Sequence, residues 1–252
     1  MRNTPDNATL IDNIEKFDIG FNKNNREIDK KVLQAMRKVD RKLFVPANRN
    51  GSANPDVYEN YPLSIGHDQT ISQPYIVAYM TSALELAPAH SVLEIGTGSG
   101  YQAAILSNLC QSVYTVEIIE EFTLKAQQLL SQLNYTNIYL KNDDGNLGWE
   151  QDSLFDRIII TASMEKIPSR LKDQLKIGGI MIVPVVDKAT SSACLYKIVR
   201  NSNNSFRSTK LMPVRFVPIV IESYDTSLDT NTLNNHMPTL GIDFVAYNND
   251  IS

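Results

Sequence analysis

Cysteine, basic charge and long apolar runs are all scarce in this 252-residue sequence. The two cysteines, Cys110 and Cys194, lie outside any CxxC pair or Cys/His cluster, which argues against a disulfide framework and against a metal site of that kind. No segment approaches the roughly 20 apolar residues of a membrane-spanning helix, and the start of the chain lacks the apolar core of a signal peptide. We therefore expect a cytoplasmic protein that holds no metal and does not contact a membrane.

The charge balance argues against a nucleic-acid partner. The chain carries 28 acidic and 24 basic residues, a formal net charge of -4, and its sequence pI is about 5.4. Proteins that follow phosphate backbones usually present a basic face. The apolar share of 42% is enough for a large buried core, and the length fits one α/β domain with extensions.

Short apolar segments alternate with helical patterns through the middle of the chain, which is typical of βαβ units around a parallel sheet. The predicted strands of this part are 91–95, 113–116, 138–140, 155–161 and 180–186. Two more strands, 193–199 and 210–220, joined by a loop over 201–208, are expected to pair antiparallel at the edge of the sheet. The expected fold is α/β: a Rossmann-like, doubly wound, mostly parallel sheet with helices on both faces and antiparallel C-terminal edge strands.

Helical patterns also precede the sheet. Apolar residues at helical spacing predict one helix over Asp29–Phe44 and another that starts at Pro74, and a later helix is predicted over Ile167–Leu175. The expected organisation is a loosely ordered lead-in over 1–28 with one short helix around Ile11–Phe17, a single domain over 29–220, and a C-terminal extension over 221–252. Within the domain, 29–90 is the helical region and 91–220 the sheet.

The sharpest feature is the segment Val92–Gly100, where a strand enters a glycine-rich turn that opens a helix. Glycine permits positive φ and close approach of a ligand, and open α/β sheets bind nucleotides at such a turn. The dinucleotide pattern G-x-G-x-x-G/A fits poorly, because it meets Tyr101 when counted from Gly96 and starts late when counted from Gly98. The spacing E-x-G-x-G-x-G instead resembles the first motif of Rossmann-like methyltransferases. The resemblance implies S-adenosylmethionine as the cofactor, held by Glu94, Gly96, Thr97, Gly98, Ser99 and Gly100.

Acidic residues follow the next two predicted strands. Glu117 ends the second strand, where an acidic residue accepts hydrogen bonds from both ribose hydroxyls. In methyltransferases of this kind an acidic loop after the third strand lies against the adenine, which implies that role for Asp144 and Gly145. The alternatives are an ordinary exposed glutamate and a plain Asp-Gly turn.

The stretch Gly66–Pro74, with the sequence GHDQTISQP, resembles the substrate loop of the protein-L-isoaspartate O-methyltransferase family. Phe155–Ala162 and Pro213–Pro218 are similar to other segments of that family, and the resemblance runs from about Asp29 to Val220. It implies methyl transfer from S-adenosylmethionine to the free α-carboxylate of L-isoaspartyl residues in damaged proteins and peptides. The ester then closes to a succinimide, which begins repair. Isoaspartyl proteins and peptides are the expected partners, and a monomer is expected because a repair enzyme must admit flexible peptide ends.

The resemblance also assigns residues. Ser72 matches the family's catalytic serine; Thr70, Ile71 and Ser72 are expected to touch the cofactor, and Gln69, Thr70, Val214 and Arg215 the substrate. A carboxylate is already anionic at neutral pH, so the reaction needs positioned donors rather than a strong base. Ser72 precedes the helix at Pro74, whose N-terminal N–H groups suit a carboxylate. Its alternative role is to cap that helix, and Arg215 is otherwise an exposed side chain.

Two other functions stay open at this point. One is a carboxyl methyltransferase that acts on a different peptide or small-molecule carboxylate, since Asp68, Val186 and the extension after Val220 depart from the family pattern. The other is a non-catalytic homologue that binds S-adenosylmethionine without turnover, which the intact Ser72 and Glu117 disfavour.

Overall fold

A computed structural model describes residues 6–21, 28–48, 50–150, 153–187 and 190–220. Its helices are α1 (Asn7–Phe21), α2 (Lys30–Lys38), α3 (Pro74–Ala83), α4 (Tyr101–Ser107), α5 (Glu120–Gln132) and α6 (Ser169–Asp173). Its strands are β1 (Leu63–Gly66), β2 (Gln69–Ile71), β3 (Ser91–Ile95), β4 (Ser112–Glu117), β5 (Ile138–Asn142), β6 (Phe155–Ile160), β7 (Leu175–Asp187), β8 (Ser192–Ser202) and β9 (Ser205–Val214). Short 3-10 turns cover Arg41–Phe44 and Gly145–Leu147. The extension expected over 221–252 lies outside the described residues.

Seven strands form the main sheet in the order β5-β4-β3-β6-β7-β8-β9. The pairs from β5 to β7 are parallel, and β8 and β9 add antiparallel strands at one edge. The chain leaves β3 toward β4 and β5, then returns to the other side of β3 as β6. The order therefore reverses beside β3, and the crevice at such a reversal is where open α/β sheets bind their ligands.

Both faces of this sheet are covered, as the alternation of its side chains requires. Val92, Ile159 and Ile182 point to one face, where they pack with Met80 of α3 and Leu106 of α4. Their neighbours along the strands point to the other face and pack with Leu171 of α6; these are Leu93, Ile158, Ile160, Met181 and Val183. The predicted fold class is confirmed.

The two C-terminal strands lie closer together in the chain than predicted, and β8 is longer than expected. The expected loop over 201–208 is wrong, because β8 and β9 form a hairpin that turns at Asn203–Asn204, and β9 ends at Val214 rather than Val220. The Asn/Ser-rich sequence expected to be a loop lies in an exposed edge ladder, which backbone pairing holds without apolar side chains. The helix predicted over Ile167–Leu175 shortens to α6, and β7 starts before the glycine pair.

The helix predicted over Asp29–Phe44 is also divided. α2 ends at Lys38, and the carboxylate of Asp40 then accepts from the backbone N–H of Lys42 at 3.0 Å to open a separate 3-10 turn. The turn shifts the buried face. A helix continued to Phe44 would bury Leu43 with the other apolar residues, but Leu43 is 49% exposed and Arg41 is fully buried.

Part of the lead-in packs into the core instead of lying loosely on it. α1 runs over 15 residues, more than the short helix expected, and buries Leu10, Ile11 and Ile14 in the same cluster as Val32 of α2. The side-chain amide of Asn7 also donates to the carbonyl of Met36 at 3.0 Å, near the end of α2. None of the helices in the described part of the chain is long and apolar enough to cross a membrane.

Candidate functional site

The carboxyl ends of β3, β4 and β6 open onto one cavity. Its empty volume is about 920 Å³, a figure that includes space open to solvent. The sheet contributes one side of the lining, namely Ile95, Gly96, Thr97, Gly98, Ser99, Val116, Glu117, Ile118, Ile119, Gly145, Thr161 and Ala162. The cavity thus occupies the crevice where the strand order reverses.

The glycine loop after β3 has a backbone that side chains rarely adopt. Gly96, Gly98 and Gly100 have φ of 94°, 53° and 85°, and the left-handed region is readily open only to glycine. A Cβ at Gly96 would also collide with the Thr161 hydroxyl. Gly96 and Gly98 line the cavity, whereas Gly100 lies at the start of α4 outside the lining.

Glu117, at the tip of β4, is 6% exposed and lines the cavity. One carboxylate oxygen accepts from the N–H of Gly98 at 2.8 Å and the other from the N–H of Ile119 at 3.0 Å. Each oxygen keeps further accepting capacity, since an ionised carboxylate has about four lone-pair sites. This side chain is therefore fixed in place with acceptors for a ribose diol.

Glu94 lies behind the loop rather than in the cavity lining. It is fully buried and accepts from the Thr115 hydroxyl at 2.6 Å, and Thr115 in turn bonds the Thr97 hydroxyl at 2.6 Å. Burial raises the pKa of Glu94 to about 8. These two threonines connect Glu94 to the glycine loop after β3, so Glu94 contributes to the site indirectly.

The segment after β5 brings Gly145 to the cavity but turns Asp144 away from the lining. One carboxylate oxygen of Asp144 accepts from both the backbone N–H and the side-chain amide of Asn146 at 2.9 Å. It thereby caps the 3-10 turn that starts at Gly145.

Just beyond this turn, Trp149 lies edge-on to Tyr114, with ring centroids 5.1 Å apart. Its backbone N–H donates to the side chain of Gln174 at 3.0 Å.

The substrate loop predicted over Gly66–Pro74 is a hairpin, β1–β2, followed by α3. Its turn residues His67 and Asp68 have φ of 49° and 55°, and Asp68 is exposed. The imidazole of His67 lies 2.7 Å from a carboxylate oxygen of Glu121, which ties the hairpin tip to α5. The hairpin and the residues after it supply the opposite side of the cavity through Ile65, Gln69, Thr70, Ile71 and Ser72.

Ser72 does not cap α3. Gln73 occupies the cap position without a side-chain bond, and the side chain of Asn60 accepts from the N–H of Tyr75 at 3.0 Å. Since Pro74 has no N–H, the helix end offers fewer donors to a carboxylate than the sequence suggested. The Ser72 hydroxyl has no hydrogen-bond partner among the described residues, and Ser72 lines the cavity.

The last wall comes from beyond β9. Val217, Pro218, Ile219 and Val220 line the cavity, and the N–H of Ile219 donates to the carbonyl of Ser163 at 2.8 Å. The predicted substrate contacts Val214 and Arg215 do not line it: Val214 packs on the core and Arg215 is exposed. The segment Pro213–Pro218 was the sequence signal, and its last two residues, Val217 and Pro218, are the ones that line the cavity.

The lining suits S-adenosylmethionine. It combines a fixed carboxylate with apolar side chains such as Ile118, Ile119 and Phe122. Among the described residues no lysine or arginine lines the cavity, so no side-chain cation there would repel a sulfonium. No cluster of potential metal ligands occurs in that described part either.

Sequence comparison identifies relatives of this chain. Residues 16–224 match the family model described as protein-L-isoaspartate(D-aspartate) O-methyltransferase. A protein-L-isoaspartate O-methyltransferase of Dictyoglomus turgidum is 49% identical over 197 residues, covering 78% of this chain and 86% of its own length. A second, from Polaromonas sp., is 45% identical over 192 residues and covers 76% of this chain and 89% of its own length.

Solved structures share the fold. One protein-L-isoaspartate O-methyltransferase superposes with a TM-score of 0.72 at 24% identity, over 83% of this chain and 64% of that one. Another, from Plasmodium falciparum and described in complex with S-adenosyl-L-homocysteine, gives 0.70 at 21% identity, over 86% and 99%. With the family match spanning most of the sequence, the chain belongs to the protein-L-isoaspartate(D-aspartate) O-methyltransferase family.

Proposed function

We propose that the cavity holds S-adenosylmethionine along the β3–β4 loops and admits an isoaspartyl carboxylate beside Ser72. The chain is an S-adenosylmethionine-dependent methyltransferase of isoaspartyl residues in protein repair, the activity of its family. The observation that supports this arrangement is that Glu117 and Ser72 line the same cavity. A cofactor-binding carboxylate and a hydroxyl for the acceptor are thus within one enclosure.

S-adenosylmethionine, when bound, supplies an electrophilic methyl group on a positively charged sulfur. The residues of the chain have to hold the acceptor carboxylate in line with that methyl, at roughly 3–3.5 Å. Ser72 donates a hydrogen bond to one carboxylate oxygen and leaves the other as the nucleophile. No general base takes part, because the nucleophile is already ionised.

The other residues divide between the two ligands. Glu117 accepts from the ribose hydroxyls, while Gly96, Thr97, Gly98 and Ser99 let the cofactor approach the backbone, with Gly100 shaping the turn. Thr70, Ile71 and Gly145 complete the cofactor side; Glu94 and Asp144 hold the two loops. The peptide substrate contacts Gln69, Thr70 and the wall Val217–Val220. Val214 and Arg215 would contact only those parts of the peptide that extend outside the cavity.

Assembly and compartment belong to the same proposal. A monomer is part of the proposal because a repair enzyme must admit flexible peptide ends. The two cysteines are free thiols, which suits the reducing cytoplasm. The lack of lysine and arginine in the described lining disfavours a nucleic-acid substrate.

The deciding experiment measures methyl transfer from labelled S-adenosylmethionine to a short peptide with L-isoaspartate and to the same peptide with aspartate. Ser72→Ala is compared with Ser64→Ala, a matched change at an exposed serine on the same hairpin. We expect transfer to the isoaspartyl peptide alone. Ser72→Ala should lower transfer more than cofactor affinity, and Ser64→Ala should change neither.

The alternatives predict other results. Transfer to neither peptide with intact cofactor binding would favour a different carboxylate substrate, and would direct attention to Asp68 and the extension after Val220. Cofactor binding without turnover on any carboxylate would favour a non-catalytic homologue. Equal losses of transfer and cofactor affinity in Ser72→Ala would move Ser72 to the cofactor side.

A further inference from the structure

A buried arginine lies directly behind the substrate loop. Arg41, on the 3-10 turn Arg41–Phe44, is fully buried. Its Nη1 donates to the carbonyls of Val57 at 2.7 Å and Glu59 at 3.4 Å, and its Nη2 to those of Tyr61 at 3.1 Å and Ser72 at 3.4 Å. One guanidinium thus joins the segment Val57–Tyr61 to the backbone of Ser72.

This arrangement depends on the shape of the arginine side chain. A guanidinium is a rigid planar fork whose donors can satisfy several converging acceptors, whereas an ammonium is a compact point charge. Four carbonyl oxygens accept from this one guanidinium, and such hydrogen bonds from a charged donor are stronger than neutral ones. No carboxylate forms an ion pair with Arg41 among the described residues.

The charge of Arg41 persists despite its burial. Burial lowers the pKa of Arg41 to about 10, so the guanidinium is still protonated at neutral pH. The cavity lining itself contains Glu117 and, among its described residues, no basic side chain. At the start of α3, Pro74 has no N–H, and Asn60 already accepts from the N–H of Tyr75. Arg41 therefore places a positive charge behind the loop at which an anionic acceptor would dock.

A second tie strengthens the same connection. The side-chain amide of Gln73 donates to the carbonyl of Asn60 at 2.9 Å. The segment Val57–Tyr61 is thus fixed at Ser72 through Arg41, and just after Ser72 through Asn60, which bonds Gln73 and Tyr75. A displacement of this segment would move Ser72 relative to the cofactor loop.

We propose that Arg41 is a positioning residue for methyl transfer: it fixes the backbone of Ser72 against the cofactor cavity and keeps a positive charge behind the docked carboxylate. This role rests on the proposed function of Ser72 at the acceptor. Arg41 does not touch the cofactor loop Gly96–Gly100 in any described hydrogen bond. Its loss should therefore affect the peptide and the transfer step rather than cofactor affinity.

The test compares Arg41→Lys and Arg41→Gln with Arg200→Lys. Arg200 is a matched control, because its guanidinium also donates to backbone carbonyls, those of Lys172, Asp173 and Leu175, but at α6 and outside the cavity lining. For each protein we would measure thermal unfolding, the dissociation constant of S-adenosylhomocysteine, and kcat and KM with the isoaspartyl peptide.

We expect Arg41→Lys to lower kcat/KM by about 10-fold to 100-fold, the scale of a small misplacement of reacting groups, with cofactor affinity within about twofold of wild type. Arg41→Gln, which also removes the charge, should raise the peptide KM further. Arg200→Lys should leave kcat/KM within about twofold.

A second variant keeps the test decisive if the Arg41 variants do not fold. The side chain of Asn60 is half-buried, and Asn60→Ala removes the oxygen that accepts from the N–H of Tyr75, which loosens the segment Val57–Tyr61. Asn60→Asp keeps an accepting oxygen at this position. Loss of kcat/KM in Asn60→Ala with recovery in Asn60→Asp would support the positioning role. Unchanged kcat/KM in Arg41→Lys or Asn60→Ala, or equal loss of cofactor affinity, would overturn it. Failure of the wild-type chain to methylate the isoaspartyl peptide would instead overturn the proposed function, and with it this inference.

Discussion

We expect cofactor binding to depend strongly on the carboxylate of Glu117. Its two oxygens accept from the N–H groups of Gly98 and Ile119, so Glu117→Ala would remove the proposed contacts to the ribose and also release the glycine loop after β3. We expect the dissociation constant of S-adenosylmethionine to rise roughly 5-fold to 150-fold, the equivalent of about 1–3 kcal/mol for charge-assisted bonds. Isothermal titration measures this directly. Glu120→Ala, at the exposed start of α5, is the control, and an equal effect of both changes would refute the ribose assignment.

Glu94 makes stability depend on pH. Burial raises the pKa of its carboxyl group from the ordinary value of 4.5 to about 8. Between these values the unfolded chain gives up a proton that the folded chain keeps, so ionisation favours the unfolded state and stability falls as pH rises. Glu94→Gln removes this dependence. The unfolding free energy of Glu94→Gln minus that of wild type should therefore increase with pH, by up to about 1.4 kcal/mol per pH unit between pH 5 and pH 8.

Urea unfolding at pH 5, 7 and 9 measures that difference. The amide keeps an acceptor for the Thr115 hydroxyl, so the hydrogen-bond chain to Thr97 survives the change. A constant difference across the three pH values would show that Glu94 is not a buried neutral acid in this range.

At the scale of elements, the turn after β5 is packed against β3 with no room for a side chain. A Cβ at Gly145 would overlap the side chain of Ile95, and both residues line the cavity. We expect Gly145→Ala to push the two loops apart and weaken cofactor binding by about tenfold, in line with roughly 1–3 kcal/mol for overpacking.

The matched control for that change is Gly51→Ala. Gly51 has a φ of 79° but nothing within 4 Å of its Cβ position, so alanine there strains the backbone without meeting a neighbour. Its cost should be about 1–2 kcal/mol of unfolding free energy with cofactor affinity unchanged. Retention of full cofactor affinity in Gly145→Ala would mean that the turn can move away from β3 without disturbing the site.

The elements that the sequence predicted well are those with a dense local pattern. The run from Val92 to Gly100 combines a buried strand with glycines at positive-φ positions, so both the strand and the turn could be predicted from the local sequence pattern. Arg41 was missed because its burial is decided by carbonyls that lie 16 to 31 residues away in sequence. The β8–β9 hairpin was misjudged for a similar reason, since backbone pairing rather than side-chain pattern holds it.

At the scale of the whole molecule, α1 belongs to the packed body. Ile14 is fully buried in the cluster that includes Val32 and Met36. Ile14→Ala should lower the unfolding free energy by about 2–5 kcal/mol, the range for large-to-small changes in cores. Asn13→Ala, on the exposed side of the same helix, should stay within about 0.5 kcal/mol. Denaturant unfolding of both variants tests this, and equal stability would exclude a structural role for α1.

The overall order of strands also explains which site residues the sequence could assign. Parallel strands end at one edge, so Glu117 and the loop after β3 had to meet there once the fold class was correct. The wall Val217–Val220 could not be placed in the same way. It reaches the cavity only because the chain passes through the antiparallel hairpin and returns beside Ser163.

The chain carries its own optical reporter. Trp149 is the only tryptophan of the sequence and lies four residues beyond Gly145, which lines the cavity. Indole emission responds to small shifts of the surrounding groups, and here those groups are Tyr114 and Lys141, both packed against the ring. Intrinsic fluorescence excited selectively at this residue should therefore follow cofactor titrations in every variant above, without a label and without turnover.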